Sequence, residues 1–176
     1  LLAAGAPVSA HWIADRQSGP LIQRFGTTEQ KEKFLPSICK GESFFCIGMS
    51  EPDSGSDLAS IKTNAKRTDN GWVLNGQKVW TTLAHVARWG CLVTRTDPEA
   101  PKHKGLSYFV VDMTDPGVEV RPLRQMTGDA EFNEVYFTDA RIPDEERLGD
   151  AGDGWRVALT TLMNERVAIG GTQAPR

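Results

Sequence analysis

The chain has 176 residues, a length that suits one domain with part of another attached, since domains mostly run to about 100–150 residues. Apolar residues make up 39% of the chain, and its 20 basic and 23 acidic residues leave a net charge of −3. This balance excludes a chain that is disordered throughout and argues against a nucleic-acid partner, which would need a strong positive field.

The first forty residues are predicted to be helical. Pro20 suits the first turn of a helix, and Gly26 suits its end. Thr27 and Gln30 have the spacing of a capping box, which predicts that the next helix covers residues 28–35. Pro36 is expected to bend or end that helix, because proline lacks the backbone N–H that helix continuation requires.

The middle of the chain changes to short apolar runs separated by turn residues. The pairs Asn70-Gly71 and Asn75-Gly76 each predict a β-hairpin, because both residue types tolerate positive φ. About seven strands without intervening helices predict an α+β fold, in which an antiparallel β-barrel or sandwich is flanked by helical segments. Besides the hairpin arms, the predicted strands are 44–47, 89–94, 106–112, 118–121 and 134–137.

Helical periodicity returns near the end, where Trp155, Leu159, Leu162 and Val167 form a stripe. The expected layout is therefore the end of one helical domain at 1–40, a complete β domain at 41–150 and the start of a second helical domain at 151–176. We interpret the chain as a piece of a longer protein. No apolar run approaches the roughly 18 residues of a membrane span, so none is predicted.

The cysteines and histidines are too scattered for a metal site. No C-x-x-C or H-x-x-x-H spacing occurs, and we predict no metal. Cys39, Cys46 and Cys91 are expected to be free thiols in a reducing compartment.

The segment from Gly48 to Asp57 follows a predicted strand and is rich in carboxylates and hydroxyls. It is not a nucleophile elbow, because Pro52 stands where that motif needs glycine. A calcium loop starting at Asp53 fails as well, with Leu58 and Asn64 at the positions that need Gly and Glu. Neither a Walker loop nor G-x-G-x-x-G is present. Composition alone favours a hydrogen-bonded surface loop.

A second segment, Gln77 to Thr82, ends in an aromatic residue and two hydroxyls. A tryptophan beside hydroxyl donors can cover the face of a flat heterocycle while the hydroxyls meet its polar edge. Taken alone, Trp80 is more often a core residue, since most of the 5 tryptophans are expected to serve packing.

Four pieces of the chain, in matching order and spacing, together resemble the acyl-CoA dehydrogenases. In that family a helical domain, a β domain and a four-helix domain follow one another, which agrees with the layout above. The resemblance covers nearly the whole chain, and its most specific part is the S-E-P-x-x-G-S-D core. The pieces are 25–42, Met49 to Asp57, Asn75 to Thr82 and Phe132 to Gly149.

The resemblance implies an FAD-dependent enzyme that oxidises the Cα–Cβ bond of an acyl-CoA thioester. A carboxylate removes the α proton and the β hydride goes to flavin N5. Ser50 is then expected at the N1–C2=O edge of the flavin, Trp80 over one face and Thr82 near N5. Ser56 would contact the thioester's pantetheine or phosphate. The implied cofactor-binding residues are Ile47, Met49, Ser50, Gly55, Ser56, Trp80, Thr81 and Thr82.

Two positions for the catalytic base are left open. In some members of the family it lies on the helix after the β domain, where this chain has Glu165; in others it lies further on, beyond Arg176. The alternative for Glu165 is an exposed helix residue beside Arg166. By resemblance, the substrate-binding residues are Ser56, Glu165 and Arg166. Glu51, Asp53 and Asp57 are expected to fix the loop by accepting backbone N–H groups.

The resemblance also implies partners and alternatives. Besides the acyl-CoA substrate, it implies an electron-transfer flavoprotein as acceptor, a homodimer or homotetramer, a role in fatty acid metabolism, and a location in the cytoplasm or the mitochondrial matrix rather than secretion. The alternatives are a flavin-dependent oxidase or monooxygenase on the same fold, and a non-catalytic binding module. The 176 residues alone are expected to be inactive, because missing helices and a neighbouring subunit would complete the pocket.

Overall fold

The computed structural model describes residues 11–170, which form helices at both ends and eight strands between them. Within that part of the chain, no helix is both long enough and apolar enough to cross a lipid bilayer. A π-helical segment at Ile13–Ser18 leads into α1 (Gly19–Phe25) and α2 (Thr28–Cys39), and α3 (Gly154–Gly170) comes last. The strands are β1 (Phe45–Gly48), β2 (Asn64–Thr68), β3 (Gly71–Lys78), β4 (Trp89–Arg95), β5 (Leu106–Asp112), β6 (Val118–Leu123), β7 (Phe132–Ile142) and β8 (Arg147–Leu148).

The boundaries of α1 and α2 follow the local sequence signals. Pro20 lies in the first turn of α1, and Gly26 ends it in an extended conformation. The capping box of α2 is confirmed: the Gln30 backbone N–H donates to Thr27 Oγ1, and the Thr27 N–H donates to Gln30 Oε1 at 2.9 Å. The two side chains thus satisfy N–H groups that have no partner within the helix.

Pro36 does not end α2, because the helix continues to Cys39. Phe34 and Ile38 flank the proline and are almost completely buried, so core packing holds the last turn in place. The Pro36 carbonyl still accepts a helical hydrogen bond from the Lys40 N–H at 3.2 Å. Tertiary contacts here outweigh the local cost of proline.

The strands form one mixed sheet in the order β6-β7-β3-β2-β4-β5-β8, with β1 paired to β4. Most pairs are antiparallel, but β1 runs parallel to β4, and β2 meets β4 in parallel at Asn64 and Arg95. The expectation of a purely antiparallel domain is therefore corrected. The sheet does not close into a barrel, and the sandwich-like α+β class with flanking helices is confirmed.

The two Asn-Gly pairs have different roles. Asn70-Gly71 forms the predicted hairpin between β2 and β3, with Gly71 at a φ of 119°. Asn75-Gly76 does not form a turn; it lies inside β3, where the register with β7 shifts, so this prediction is wrong. Gly76 has a φ of 143°, and a Cβ there would lie 2.6 Å from Thr63. The register shift is a β-bulge whose extra residue lies in β7, since Leu74 pairs with Ala140 and Gly76 with Phe137, and Asp139 there has a φ of 51°. The glycine at 76 is required by its own positive φ and by the close approach of Thr63.

Two hydrophobic cores lie on opposite faces of β4 and β5. Along β5, Tyr108 and Val110 face the helices, whereas Phe109 and Val111 face the other half of the folded sheet. Such alternation is the normal consequence of strand geometry. The Phe109 ring packs against Trp72 of β3, with ring centroids 5.3 Å apart. The helical core is the one beside the candidate site, because it includes residues of the π-helical segment, β1 and α3.

Candidate functional site

A cavity of about 420 Å³ lies where four separate segments of the chain meet. This volume is within the range of roughly 300–1,000 Å³ typical of small-molecule sites. The segments are the π-helical segment at Ile13–Ser18 with Trp12 before it, the end of β1, the end of β3 and the middle of α3. The residues that line the cavity are Trp12, Ile13, Gln17, Ile47, Met49, Ser50, Val79, Trp80, Thr82, Thr161, Leu162 and Glu165.

The two segments singled out in the sequence are joined directly beside this cavity. The Val79 N–H donates to the Ser50 carbonyl at 2.9 Å, and Lys78 Nζ donates to the Met49 carbonyl at 3.1 Å. Because these bonds use the backbone carbonyls, the side chain of Ser50 stays available as a polar group of the cavity wall. Ser50, Trp80 and Thr82 therefore share one cavity, as the sequence predicts.

Trp80 presents a largely exposed indole to this cavity, with 61% of its surface accessible. Its backbone has a φ of 59°, a left-handed conformation that residues with a Cβ rarely adopt. The ring of Phe132 meets the indole edge-on, with centroids 6.1 Å apart. An exposed aromatic ring with a supported edge is suited to cover a flat ligand.

Helix α3 contributes Thr161, Leu162 and Glu165 to the lining of the cavity. It is fixed to the sheet by the buried Tyr108 hydroxyl, which lies 3.3 Å from Thr161 Oγ1. Glu165 is half-buried at the cavity, whereas the neighbouring Arg166 is exposed and does not line it. Of the predicted stripe on this helix, Leu159 is exposed, and the side chain of Val167 lies outside the described residues.

Besides Arg166, three residues of the predicted site do not line the cavity. Gly55 and Ser56 lie in the exposed loop after Ser50, and nothing lies within 4 Å of the place where a Cβ on Gly55 would be. Thr81 is buried behind the turn, and its backbone pairs with Asn133 instead of facing the cavity.

The loop after β1 is anchored by a buried ion pair that the sequence prediction missed. Lys78 is completely buried, and its Nζ donates to Glu51 Oε1 at 2.9 Å. The Glu51 carboxylate also accepts the backbone N–H groups of Lys62, at 2.6 Å, and Thr63, at 3.0 Å. The expectation that Glu51 fixes the loop through backbone N–H groups is confirmed.

The environment changes the pKa of both members of this pair. Burial lowers the pKa of Lys78 to about 8, and the attraction of Glu51 only partly offsets that effect. For Glu51, burial alone would raise the pKa, but the charge of Lys78 and the donated hydrogen bonds together outweigh it and hold the pKa below its usual range. The carboxylate is therefore the firmly charged partner.

The other two acidic residues of the loop behave differently from the prediction. Asp53 pairs with the Lys62 ammonium at 3.0 Å, and Asp57 accepts from the Ser60 hydroxyl and the Lys102 ammonium. These partners are exposed side chains rather than backbone N–H groups. Surface pairs of this kind stabilise a loop only weakly.

The comparisons with known proteins agree with this architecture. The family model described as "Acyl-CoA dehydrogenase, middle domain" matches residues 46–140, and "Acyl-CoA dehydrogenase, N-terminal domain" matches residues 1–42. Acyl-CoA dehydrogenase FadE34 of Mycobacterium tuberculosis (strain ATCC 25618 / H37Rv) is 57% identical over 152 residues, which make up 86% of this chain and 21% of that protein.

Solved structures show the same likeness in three dimensions. The Tcur3481-Tcur3483 steroid ACAD G363A variant matches with a TM-score of 0.87 and 38% identity, over 92% of this chain and 43% of that one. PigA with FAD and proline matches with a TM-score of 0.82 and 27% identity, over 91% and 41% of the two chains. The chain thus spans less than half the length of each of these relatives. Since the middle-domain model alone covers more than half of the 176 residues, the chain belongs to the acyl-CoA dehydrogenase family.

Proposed function

We propose that the full-length protein is an FAD-dependent acyl-CoA dehydrogenase. The observation that carries this proposal is the shared cavity, which is lined by Ser50, Trp80 and Thr82 from the loops after β1 and β3 and by Glu165 from α3. Family membership and the relatives named above support it. The proposal assigns 1–40 to the end of a helical domain, 41–150 to the flavin and acyl-CoA domain and 151–176 to the start of the second helical domain.

The residues at the cavity fit a flavin ring. The exposed indole of Trp80 offers a flat apolar face, while the hydroxyls of Ser50 and Thr82 offer donors at the edge of the same space. When bound, FAD supplies the acceptor for the β hydrogen of the acyl chain and its electron pair. Ile47 and Met49 close the cavity from the β1 side.

The protein's own groups act by position and charge. With FAD bound, the Ser50 hydroxyl would donate a hydrogen bond to the polar edge of the flavin and so favour its reduced form, and the Thr82 hydroxyl would help to orient the ring. Trp80 excludes water from the face that it covers, which strengthens both interactions. The proposal retains the expected roles of four further residues in the full-length protein. Contacts with the cofactor or the thioester are assigned to Gly55, Ser56 and Thr81, and a contact with the substrate is assigned to Arg166.

Glu165 is the proposed base that removes the α proton of the thioester. It is the only carboxylate among the described cavity-lining residues, and it shares the cavity with Ser50 and Trp80. Proton abstraction by a positioned carboxylate contributes roughly 10²–10⁴-fold to a rate, so its removal has a clear signature.

The test uses the full-length protein with bound FAD and anaerobic addition of acyl-CoA. Glu165→Gln is expected to retain FAD but to slow bleaching of its visible absorbance by about 10³-fold, because Gln cannot accept the proton. The matched control is Glu119→Gln on the surface of β6, which should bleach at the normal rate. Normal bleaching by Glu165→Gln would assign the base to a carboxylate beyond Arg176, and a wild-type protein unable to bind FAD would reject the proposal.

The remaining parts of the proposal concern the whole protein. We propose an electron-transfer flavoprotein as acceptor, a homodimer or homotetramer as the assembly, and the cytoplasm or mitochondrial matrix as the location. Because one structural relative is described as a steroid ACAD, steroid thioesters of CoA belong in the acyl-CoA panel, beside short and long straight chains. Release of peroxide in air would favour the oxidase alternative.

A further inference from the structure

The turn that carries Trp80 adopts a conformation that its own sequence does not favour. Trp80 and Leu83 have φ values of 59° and 57°, both in the left-handed region and both on residues with a Cβ. Such residues persist there only where surrounding contacts hold them. The contacts that hold this turn therefore determine where the indole and the Thr82 hydroxyl point.

Those contacts come from the start of β7. The Thr81 N–H donates to the Asn133 carbonyl at 3.0 Å, and the Asn133 N–H donates to the Thr81 carbonyl at 3.1 Å. The Leu83 N–H donates to the Glu131 carbonyl at 2.8 Å. These backbone bonds join the Trp80 turn to the segment at the start of β7. Any residue at position 133 that has a backbone N–H could make them.

The side chain of Asn133 adds two hydrogen bonds to backbone carbonyls. Its Nδ2 donates to the Thr81 carbonyl at 2.9 Å and to the Glu131 carbonyl at 3.1 Å, so one amide group bridges the turn and the strand that supports it. Asn133 is completely buried, and its Oδ1 has no donor among the described residues. The two carbonyl partners fix the orientation of the amide and show that its N–H groups are the part in use.

We propose that Asn133 is a positioning residue for the flavin site, which acts by holding the Trp80 turn in its left-handed conformation. This inference rests on the proposed function for its ligand, but the held turn itself is a property of the protein alone. Asparagine is disfavoured in strands, and a buried amide needs partners to offset its burial, so a purely packing role would be better served by an apolar residue.

The variants for the test are Asn133→Asp and Asn133→Ser in the full-length protein. Asp has the same shape but sets a carboxylate oxygen against two carbonyls, whereas Ser keeps one smaller donor. The dissociation constant of FAD is expected to rise about tenfold in Asn133→Asp and less in Asn133→Ser, with a shifted midpoint potential of the bound flavin. A merely structural role would lower the melting temperature and leave the potential unchanged.

The matched control is Asn64→Ala. The Asn64 amide also donates to a backbone carbonyl, that of Asn75 at 3.3 Å, but Asn64 does not line the cavity. The Asn64→Ala variant should therefore have the FAD affinity and the flavin midpoint potential of the wild-type protein. Asn133 variants that fold and bind FAD with wild-type affinity and potential would overturn the proposal.

Two readouts separate this inference from the cofactor assignment. The fluorescence contributed by Trp80, obtained as the difference from Trp80→Phe, should change in Asn133→Asp even without FAD. In the wild-type protein without FAD, the Thr81 and Leu83 amides should exchange slowly with deuterium. Rapid exchange would overturn the proposal even if no Asn133 variant folds.

Discussion

Lys78 and Glu51 place two opposite charges under the loop that forms one wall of the cavity. Both are buried, and the carboxylate accepts two backbone N–H groups besides the ammonium. Removing one partner of a buried pair leaves an uncompensated charge, which is costly, whereas replacing both partners is often close to neutral. The pair therefore fixes the Met49 to Thr63 segment against the end of β3.

Glu51→Gln should lower the free energy of unfolding by about 3 kcal/mol at neutral pH, because Lys78 loses its counter-charge. The pKa of Glu51 is held below its ordinary value of 4.5 in the folded state. The unfolded state thus binds more protons as pH falls, so the stabilisation is complete above 4.5 and is lost as pH falls through the folded pKa. Urea unfolding between about pH 7 and pH 3 measures this.

The difference between wild type and Glu51→Gln should therefore shrink in acid. The double variant Glu51→Gln/Lys78→Met is the control, and it should recover part of the lost stability because no unpaired ammonium remains. A constant difference across the pH range would contradict the assignment of this stability to the carboxylate.

At the scale of single residues, the sequence predicts the site residues that belong to a family motif, but it does not predict the burial of Lys78. The family motifs predict one site for Ser50, Trp80 and Thr82, and the three residues line the same cavity. Lys78 was not, because a lysine is usually exposed. The alternation of side chains along β3 could have revealed the burial of Lys78. The buried side chains Trp72, Leu74 and Lys78 stand at even-numbered positions and so share one face of the strand, which means that a charged residue occupies an inward position.

Gln30 links two elements that are far apart in the chain. Besides capping α2, its Nε2 donates to the carbonyls of Glu145 at 2.6 Å and Arg147 at 3.0 Å, just before and within β8. The side chain is almost completely buried. It therefore ties the helical segment to the edge of the sheet.

Gln30→Ala should cost about 2 kcal/mol in the free energy of unfolding, because two partly buried carbonyls lose their donor together with half of the cap. Thr27→Ala is the matched comparison, since it removes the other half of the same cap and should cost about 1 kcal/mol. Urea unfolding of the two variants gives the comparison. Equal losses would show that the link to β8 contributes nothing.

Elements were predictable where local signals act alone, and not where packing decides. The cap at Thr27 and the turn at Asn70-Gly71 depend on neighbouring residues only. The conformation of Gly76 depends on the close approach of Thr63 and on the bulge in the neighbouring β7, and the continuation past Pro36 depends on the core. The parallel pairing of β1 with β4 is equally non-local, because about forty residues separate the two strands.

At the scale of the whole molecule, β5 connects the two cores to the cavity. Its alternate residues belong to different cores, and its Tyr108 hydroxyl reaches Thr161 on the cavity side of α3. The helix begins at Gly154, packed directly on the backbone of Ser107. The position of Glu165 is thus set by a contact about three turns away along α3.

Gly154→Ala tests this dependence. An added Cβ would lie 2.6 Å from the Cα and carbonyl carbon of Ser107, and since backbone cannot move aside as a side chain can, the start of α3 must shift. We expect a loss of about 1–3 kcal/mol in the free energy of unfolding and a turnover rate that falls more than FAD affinity does. Arg156→Ala, which removes an exposed ion pair with Asp153 and a cation–π contact with Phe25 but leaves the helix start in place, should change both by less. Because Ser50 and Trp80 are carried by the sheet and Glu165 by α3, wild-type turnover in a destabilised Gly154→Ala would mean that the reacting carboxylate is not on this helix.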